Sequence, residues 1–178
     1  KPLYALADNT SLTGKSEYGL NMGYYAECNK SGAILGYNIF IGNGDYSIMV
    51  YSYADQPTWT PFSTYLQITD GTLSIFNGLY EVKNTKLTDV TNTLNVEEYV
   101  EPLEMYTVTG TEDGTDQLTQ ENASRPVVVS GTVTNVSGSF TTTADTTVTM
   151  ELENGNSISV FVKRKLNNLS ELQTAIGR

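Results

Sequence analysis

The chain contains no histidine and only one cysteine among its 178 residues. Without histidine it lacks the commonest general base and the commonest metal ligand of proteins. The single cysteine, Cys28, excludes an internal disulfide and a zinc site built from several thiolates, and we interpret it as a small buried residue. We therefore predict no catalytic residue, no metal and no cofactor, and we do not expect an enzyme.

Basic residues are scarce. Ten Lys and Arg against 20 Asp and Glu give a net charge of -10. Because binding to polyanions depends on Lys and Arg, this balance disfavours nucleic acid and anionic membranes as partners. The one basic cluster, Lys163-Arg164-Lys165, is interpreted as the solvated end of a strand. The sequence has no long apolar run, so membrane insertion is not expected.

Strand-forming residues are abundant, and one hairpin pattern occurs twice, at residues 37–51 and 148–161. Each copy contains an Asn-Gly pair (Asn43-Gly44, Asn154-Gly155) followed by Ser-Ile-x-Val and an aromatic residue. Asn-Gly favours tight hairpins because both residues tolerate positive φ. The repeat predicts two related β modules in tandem and favours binding over catalysis.

Residues typical of turns, loops and helix caps predict where the remaining elements lie. Asn77-Gly78 predicts a third hairpin, whereas Pro57 and Pro61 predict a loop or a short helical turn between strands. Residues 91–104 are acidic and are interpreted as a connector. Asn168 resembles an N-cap that is followed by Leu169, Leu172 and Ile176 on one helical face, so the only regular helix is expected near the C-terminus. The predicted domains are 1–92, which includes an N-terminal extension, and 93–178, which includes the connector.

Several turn and core motifs resemble those of a known family. They lie at residues 39–44, 48–51 and 70–82 in the first module and at residues 130–133, 154–155 and 158–161 in the second. They are similar to the OB-like domains of secreted and surface bacterial proteins of the Bacteroidetes type, whose function is unknown. The resemblance covers residues 24–90 and 126–176. It implies an all-β protein of two tandem, five-stranded Greek-key OB-like barrels, the second either complete or truncated at Arg178.

Aromatic residues of the first module are the best candidates for a ligand site. OB barrels bind ligands across strands two and three, and side chains alternate between the two faces of a strand. The residues expected to face inward are Tyr37, Ile39, Ile41, Ile48 and Val50. Phe40, Met49, Tyr51 and Tyr53 are expected to face outward. The candidate ligand-binding residues are Phe40, Tyr51, Tyr53 and Trp59. Alternatively, these rings pack beneath the loop at 54–64 or against the second module.

The expected function is that of a non-catalytic binding or interaction module of an exported, extracytoplasmic bacterial protein. The expected ligand is a glycan or a protein. Two alternatives stay open: a single-stranded nucleic-acid-binding OB module, and a structural spacer in a larger secreted enzyme. The first module is favoured as the binding one, because the second has Thr149, Glu151 and Ser159 in the comparable outward places. The sequence does not specify the ligand, the oligomeric state or the flanking domains.

Overall fold

The structure, a computed structural model, describes residues 8–53, 56–103, 105–109, 118, 123–166 and 168–176. Strands dominate these residues, and the only α-helix among them lies near the C-terminus. The elements are β1 (Ser16–Cys28), β2 (Ile34–Asn43), β3 (Tyr46–Ser52), β4 (Tyr65–Thr69), β5 (Thr72–Phe76), β6 (Leu79–Lys83), β7 (Lys86–Asp89), β8 (Tyr106–Val108), β9 (Val127–Val129), β10 (Thr132–Ser137), β11 (Thr146–Glu151), β12 (Ser157–Val162) and α1 (Leu169–Ile176). The predicted all-β class with one short helix near the C-terminus is confirmed.

The chain divides into two compact units. Unit 1 comprises Lys1–Tyr24, Gly36–Met105 and Leu118–Pro126, and unit 2 comprises Tyr25–Leu35, Tyr106–Gln117 and Val127–Arg178. Each unit therefore draws on segments that are separated in the sequence. The domain boundary between residues 92 and 93 stays a prediction.

The strand pairing of unit 1 defines a closed five-stranded barrel. β1, β2 and β3 are consecutive neighbours, and β3 pairs in parallel with β6. β4 and β5 are halves of one strand that bends at Asp70 and Gly71, and β6 and β7 are halves of another that bends at Asn84 and Thr85. β5 pairs with β6, β4 pairs with β7, and β4 pairs back with β1. Taking each bent strand as one, the order is 1-2-3-5-4-1, the topology of an OB barrel.

Alternate residues of these strands fill the barrel. Ile39, Val50, Leu66, Leu73 and Val82 are at most 1% exposed. Burial of each such side chain stabilises the fold by about 1.5–3 kcal/mol before the entropic cost of ordering is subtracted. The other residues expected to face inward, Tyr37, Ile41 and Ile48, are buried as well.

A buried asparagine fastens the connection between β3 and β4. The backbone N–H of Asn21 donates to the Thr64 carbonyl at 2.8 Å, and its own carbonyl accepts from the Phe62 N–H at 2.7 Å. The Asn21 amide Nδ2 donates to the Trp59 carbonyl at 3.5 Å. Residues 56–64 form a loop with a turn at 61–63, so of the two predicted alternatives the loop is the one found.

Unit 2 is built on an antiparallel meander of β10, β11 and β12, together with a parallel pair of β8 and β9. Val148, Val162 and Leu169 form its core, and Leu172 of α1 packs against them. The predicted packing face of the helix is confirmed for Leu169 and Leu172, while the side chain of Ile176 lies outside the described residues. A meander followed by a helix is the expected first half of an OB barrel, and a complete second barrel stays a prediction.

Within the part of the chain that the structure describes, no helix has the length and apolar character needed to cross a membrane.

Candidate functional site

The candidate site lies on the outward face of β3 and β6. Val50 and Val82 are fully buried and are paired across these two strands. Because side chains alternate, Tyr51 and Lys83 lie on the opposite, outward face as cross-strand neighbours. The parallel pairing therefore assembles one surface from two segments that are distant in the sequence.

Two tyrosines form the centre of this surface. The rings of Tyr51 and Tyr53 meet edge to face, with centroids 4.9 Å apart and an interplanar angle of 83°. Such a pair contributes about 0.5–1.5 kcal/mol beyond its burial. A Cβ atom at Gly36 would lie 2.9 Å from Cζ of Tyr51, so the missing side chain of Gly36 allows the Tyr51 ring to lie against β2. Tyr53 is 68% exposed, which leaves most of its surface available for contact.

A lysine joins these rings to a third aromatic residue. Lys83 forms an ion pair with Glu81, and its Nζ lies 5.8 Å from the ring centroid of Phe76, which is 61% exposed. The hydrogen bond with Glu81 raises the pKa of Lys83 above its usual value against the opposing effect of burial. The charge of Glu81 and the neighbouring Tyr53 and Tyr51 side chains contribute in the same direction. We call these five residues the tyrosine–lysine patch.

Phe40 shares the outward face but lies outside the tyrosine–lysine patch. It pairs across the strands with Met49 and is half-buried. Met49 is only 5% exposed, although it lies between the inward-facing Ile48 and Val50 in β3 and therefore points to the other face. Alternation with Ile48 and Val50 places Met49 on the outward side, but this part of the face is covered.

Trp59 lies on the loop that Asn21 fastens to β1, and it is half-buried. In the order of the sheet, β2 separates β1 from β3, which carries Tyr51. The structure thus brings Tyr51 and Tyr53 together, whereas Trp59 belongs to a separate loop. The ligand-binding role of Phe40, Tyr51, Tyr53 and Trp59 stays a prediction.

Sequence reasoning missed Phe76, Glu81 and Lys83. The alternation around buried Leu73 and Val82 is a signal that Phe76 and Lys83 face outward. The pairing that brings β6 beside β3 is parallel and non-local, however, and it leaves no mark in either segment alone. Without that pairing, these residues cannot be associated with the tyrosines.

The described residues contain no group of three or more His, Cys, Asp or Glu side chains placed to hold a metal ion. Cys28 is partly exposed rather than buried as predicted.

The basic cluster at 163–165 differs from its sequence interpretation. Arg164 donates from Nε and Nη2 to the carboxylate of Asp145 at 3.0 and 2.9 Å, and Lys163 Nζ lies 2.9 Å from Oε1 of Glu27. The hydrogen bonds from Arg164 lower the pKa of Asp145 to about 2, although burial acts in the opposite direction. The solvated interpretation is therefore wrong for Lys163 and Arg164, whose charges are neutralised by partly buried partners.

No family model matches this sequence, and no curated protein matches it either. The resemblance to secreted bacterial OB-like domains therefore stays a prediction.

Several solved structures align with most of the chain. A complex of p202 HIN1 with 12-mer dsDNA has a TM-score of 0.48 and 11% identity, covering 92% of this chain and 79% of that one. A replication protein A heterotrimer bound to ssDNA has a TM-score of 0.39 and 9% identity, covering 89% and 52%. A complex of fission yeast Pot1 and ssDNA has a TM-score of 0.35 and 11% identity, covering 84% and 59%. All three TM-scores lie below 0.5, so the assignment of the barrel rests on the strand pairing of unit 1.

Proposed function

We propose that the chain is a non-catalytic binding module and that the tyrosine–lysine patch binds a neutral carbohydrate chain. The observation that carries this proposal is the exposure of Tyr53 and Phe76, at 68% and 61%, around a lysine that is already ion-paired. Large exposed aromatic side chains at the ends of strands provide a contact surface at little entropic cost, since each has only two rotatable side-chain bonds.

Aromatic rings suit carbohydrate because the C–H faces of a sugar ring stack on the π face of an aromatic ring. The patch supplies Tyr51, Tyr53 and Phe76 for such stacking, and the barrel face on which it lies includes strand three, where OB folds bind oligosaccharides and oligonucleotides. The edge-to-face contact between Tyr51 and Tyr53 favours one relative orientation of the two rings. This preference lowers the entropic cost of ordering the rings when a ligand binds.

The ion pair at the centre of the patch determines the polarity of the expected ligand. Lys83 and Glu81 together carry no net charge, and they present both hydrogen-bond donors and acceptors. Sugar hydroxyl groups both donate and accept, so they match this pair. Because Glu81 is 95% buried at the side chain, its carboxylate is fixed by the protein and positions the ammonium group of Lys83.

Single-stranded nucleic acid is the second candidate, and the observation that favours it is a cation beside three aromatic rings. Stacking of bases on aromatic side chains, together with a positive groove that follows the backbone, is the usual mode of such binding. Here Glu81 neutralises Lys83, and the chain as a whole carries a net charge of -10. The patch thus offers stacking without the cationic track that phosphates require, and this favours the carbohydrate.

The test is a binding screen of the intact chain against neutral oligosaccharides and an oligothymidylate, with purified variants alongside. We expect Tyr53→Ala and Phe76→Ala each to weaken carbohydrate binding by about tenfold or more, in line with the loss of a central aromatic contact. Phe62→Ala is the matched control, since Phe62 is 52% exposed and lies on the loop fastened to β1. Equal binding by all three variants would contradict the assignment of the patch.

We also propose that the chain belongs to an exported bacterial protein. The proposal is supported by its low proportion of charged residues, 17%, and by its single cysteine. Fractionation of cells that express the natural protein, followed by detection with an antibody, is expected to place it outside the cytoplasm. Its recovery in the cytoplasmic fraction alone would overturn the proposal.

A further inference from the structure

Unit 2 contains a second cluster of aromatic rings around an ion-paired lysine. Lys163 Nζ lies 5.7 Å from the ring centroid of Tyr25 and 5.3 Å from that of Phe161. The same Nζ lies 2.9 Å from Oε1 of Glu27. Tyr25 and Glu27 are two residues apart on β1, and Phe161 and Lys163 are two residues apart at the end of β12, so each pair projects from one face of its segment.

The cluster occupies a repeated position in the sequence. Phe161 ends the pattern Ser-Ile-x-Val-aromatic at 157–161, as Tyr51 ends it at 47–51. Val162 is 6% exposed and belongs to the core of unit 2, whereas the adjacent Phe161 is 57% exposed. Phe161 is thus the outward counterpart of Tyr51, and much of its surface is accessible.

The charges of the cluster repeat those of the tyrosine–lysine patch. Lys163 is paired with Glu27 as Lys83 is paired with Glu81, so each site combines at least one exposed ring with an ion pair that has no net charge. The adjacent Arg164 differs, because its guanidinium is engaged by Asp145 and by the carbonyls of Asn29 and Thr143. Arg164 therefore serves the structure of unit 2, and the available surface is that of Phe161 and Lys163.

We infer that Tyr25, Glu27, Phe161 and Lys163 form a second binding site for a neutral carbohydrate. This inference rests on the proposed function, since it assigns the same class of ligand to the second site. It departs from the expectation that the first module is the binding one, because it assigns a site to the second hairpin as well. Phe161 supplies the stacking surface, and Lys163 and Glu27 supply the donor and acceptor groups for sugar hydroxyls.

The test is isothermal titration of the intact chain with cellohexaose, xylohexaose, mannohexaose and maltohexaose. For the hexasaccharide that binds, we expect two sites per chain. Phe161→Ala is expected to remove the site in unit 2 and to leave the Kd of the tyrosine–lysine patch unchanged. The double variant Tyr53→Ala with Phe76→Ala is expected to remove the tyrosine–lysine patch and to leave the site in unit 2. Val133→Ala is the control in unit 2, because Val133 is 38% exposed and lies on β10.

The outcomes separate the two proposals. One site per chain that Phe161→Ala leaves intact and the double variant abolishes would overturn the second site and uphold the first. One site that Phe161→Ala abolishes and the double variant leaves intact would overturn the tyrosine–lysine patch and uphold the second site. If none of the four hexasaccharides binds, both are overturned. Retention of the folded amide spectrum by each variant excludes unfolding as the cause.

Discussion

The side-chain contacts that fasten the two repeated hairpins lie at opposite ends. In the β2–β3 hairpin the contacts are at the tip, where Nδ2 of Asn43 donates to the carbonyls of Tyr18 at 3.0 Å and Tyr99 at 2.8 Å. Oδ1 of Asn43 also accepts from the Glu101 N–H at 2.8 Å, and the Glu101 carbonyl accepts from the Gly44 N–H at 3.2 Å. Segments that are distant in the sequence therefore fix the turn.

The β11–β12 hairpin has its side-chain ion pair at the open end, where the two strands begin and finish. Asp145 comes directly before β11 and Arg164 follows shortly after β12, and the two form a bidentate ion pair. At the tip, the Glu153 N–H donates to the carbonyl of the distant Thr109 at 3.0 Å, whereas the Asn154 side chain makes a local hydrogen bond, its Oδ1 accepting from the Asn156 N–H at 3.0 Å. The same sequence pattern thus forms the same element, but different surroundings stabilise it.

The largest difference is expected on removing the two turn asparagines. Asn43→Ala deletes three hydrogen bonds and leaves polar groups of other segments without their partner, so we expect a loss of about 3 kcal/mol in the free energy of unfolding. Asn154→Ala should cost about 0.5–1 kcal/mol, since only one local hydrogen bond is lost. Urea denaturation followed by far-UV circular dichroism measures both values. Equal losses would show that the tip contacts of the first hairpin add nothing to its stability.

The next effect is the loss of stability at low pH through the ion pair at the open end of the β11–β12 hairpin. The pKa of Asp145 is lowered to about 2 from an ordinary value of 3.8. A lowered native pKa stabilises the fold at pH values above the ordinary pKa, and this stabilisation is lost as the pH falls towards 2. Allowing for solvent screening of a pair that is partly exposed, we expect about 1–2 kcal/mol.

Asp145→Asn should remove that pH dependence, whereas Glu151→Gln, an exposed change on the same hairpin, should preserve it. Amide exchange of β11 and β12 between pH 5 and pH 2.5 provides the readout. The single tryptophan, Trp59, lies in unit 1 and is therefore unsuited to this measurement. Identical acid sensitivity of the two variants would contradict the claim that Asp145 stabilises the β11–β12 hairpin.

The smallest difference is expected at the turn glycines. Gly44 has φ +56° and a Cβ there would lie 3.0 Å from Cβ of Glu101, whereas Gly155 has φ +81° and no heavy atom near the corresponding position. Alanine at either site costs about 1–2 kcal/mol for the left-handed backbone. Gly44→Ala should exceed Gly155→Ala by about 1 kcal/mol because the neighbour must also shift. A thermal melt of each variant gives the comparison, and a reversed order would show that the Glu101 contact is readily relieved.

The two hairpins differ in ways that the sequence predicts only in part. Alternation and the Asn-Gly pairs predict the hairpins, because these are local signals. They do not predict the type of turn: at Asn77-Gly78 both residues have positive φ, whereas at Asn43-Gly44 only Gly44 does. Asn43 instead pairs with Tyr46 as part of the strand and directs its side chain to Tyr99 and the backbone of Glu101. Those partners lie far along the chain, so no local pattern reveals them.

The candidate site follows the same rule. The outward direction of Tyr51 and Tyr53 follows from alternation in one strand, and it was predicted. Lys83 lies beside them because β3 pairs in parallel with β6. Met49 is buried because other parts of the chain pack over it, and the sequence of β3 alone does not show this. Local periodicity therefore gives the face on which a residue lies, whereas tertiary contacts decide what it meets there.

The central claim is that an aromatic surface with a neutralised lysine binds a neutral carbohydrate. The most direct measurement is the Kd of the intact chain for the best-binding neutral hexasaccharide at 50 mM and 500 mM NaCl, with oligothymidylate in parallel. We predict that the Kd for the hexasaccharide changes by less than about twofold and that oligothymidylate does not compete, since no counterions are released on binding a neutral ligand. Binding of oligothymidylate in preference to every sugar, with affinity falling by about tenfold or more over this range of salt, would contradict the claim.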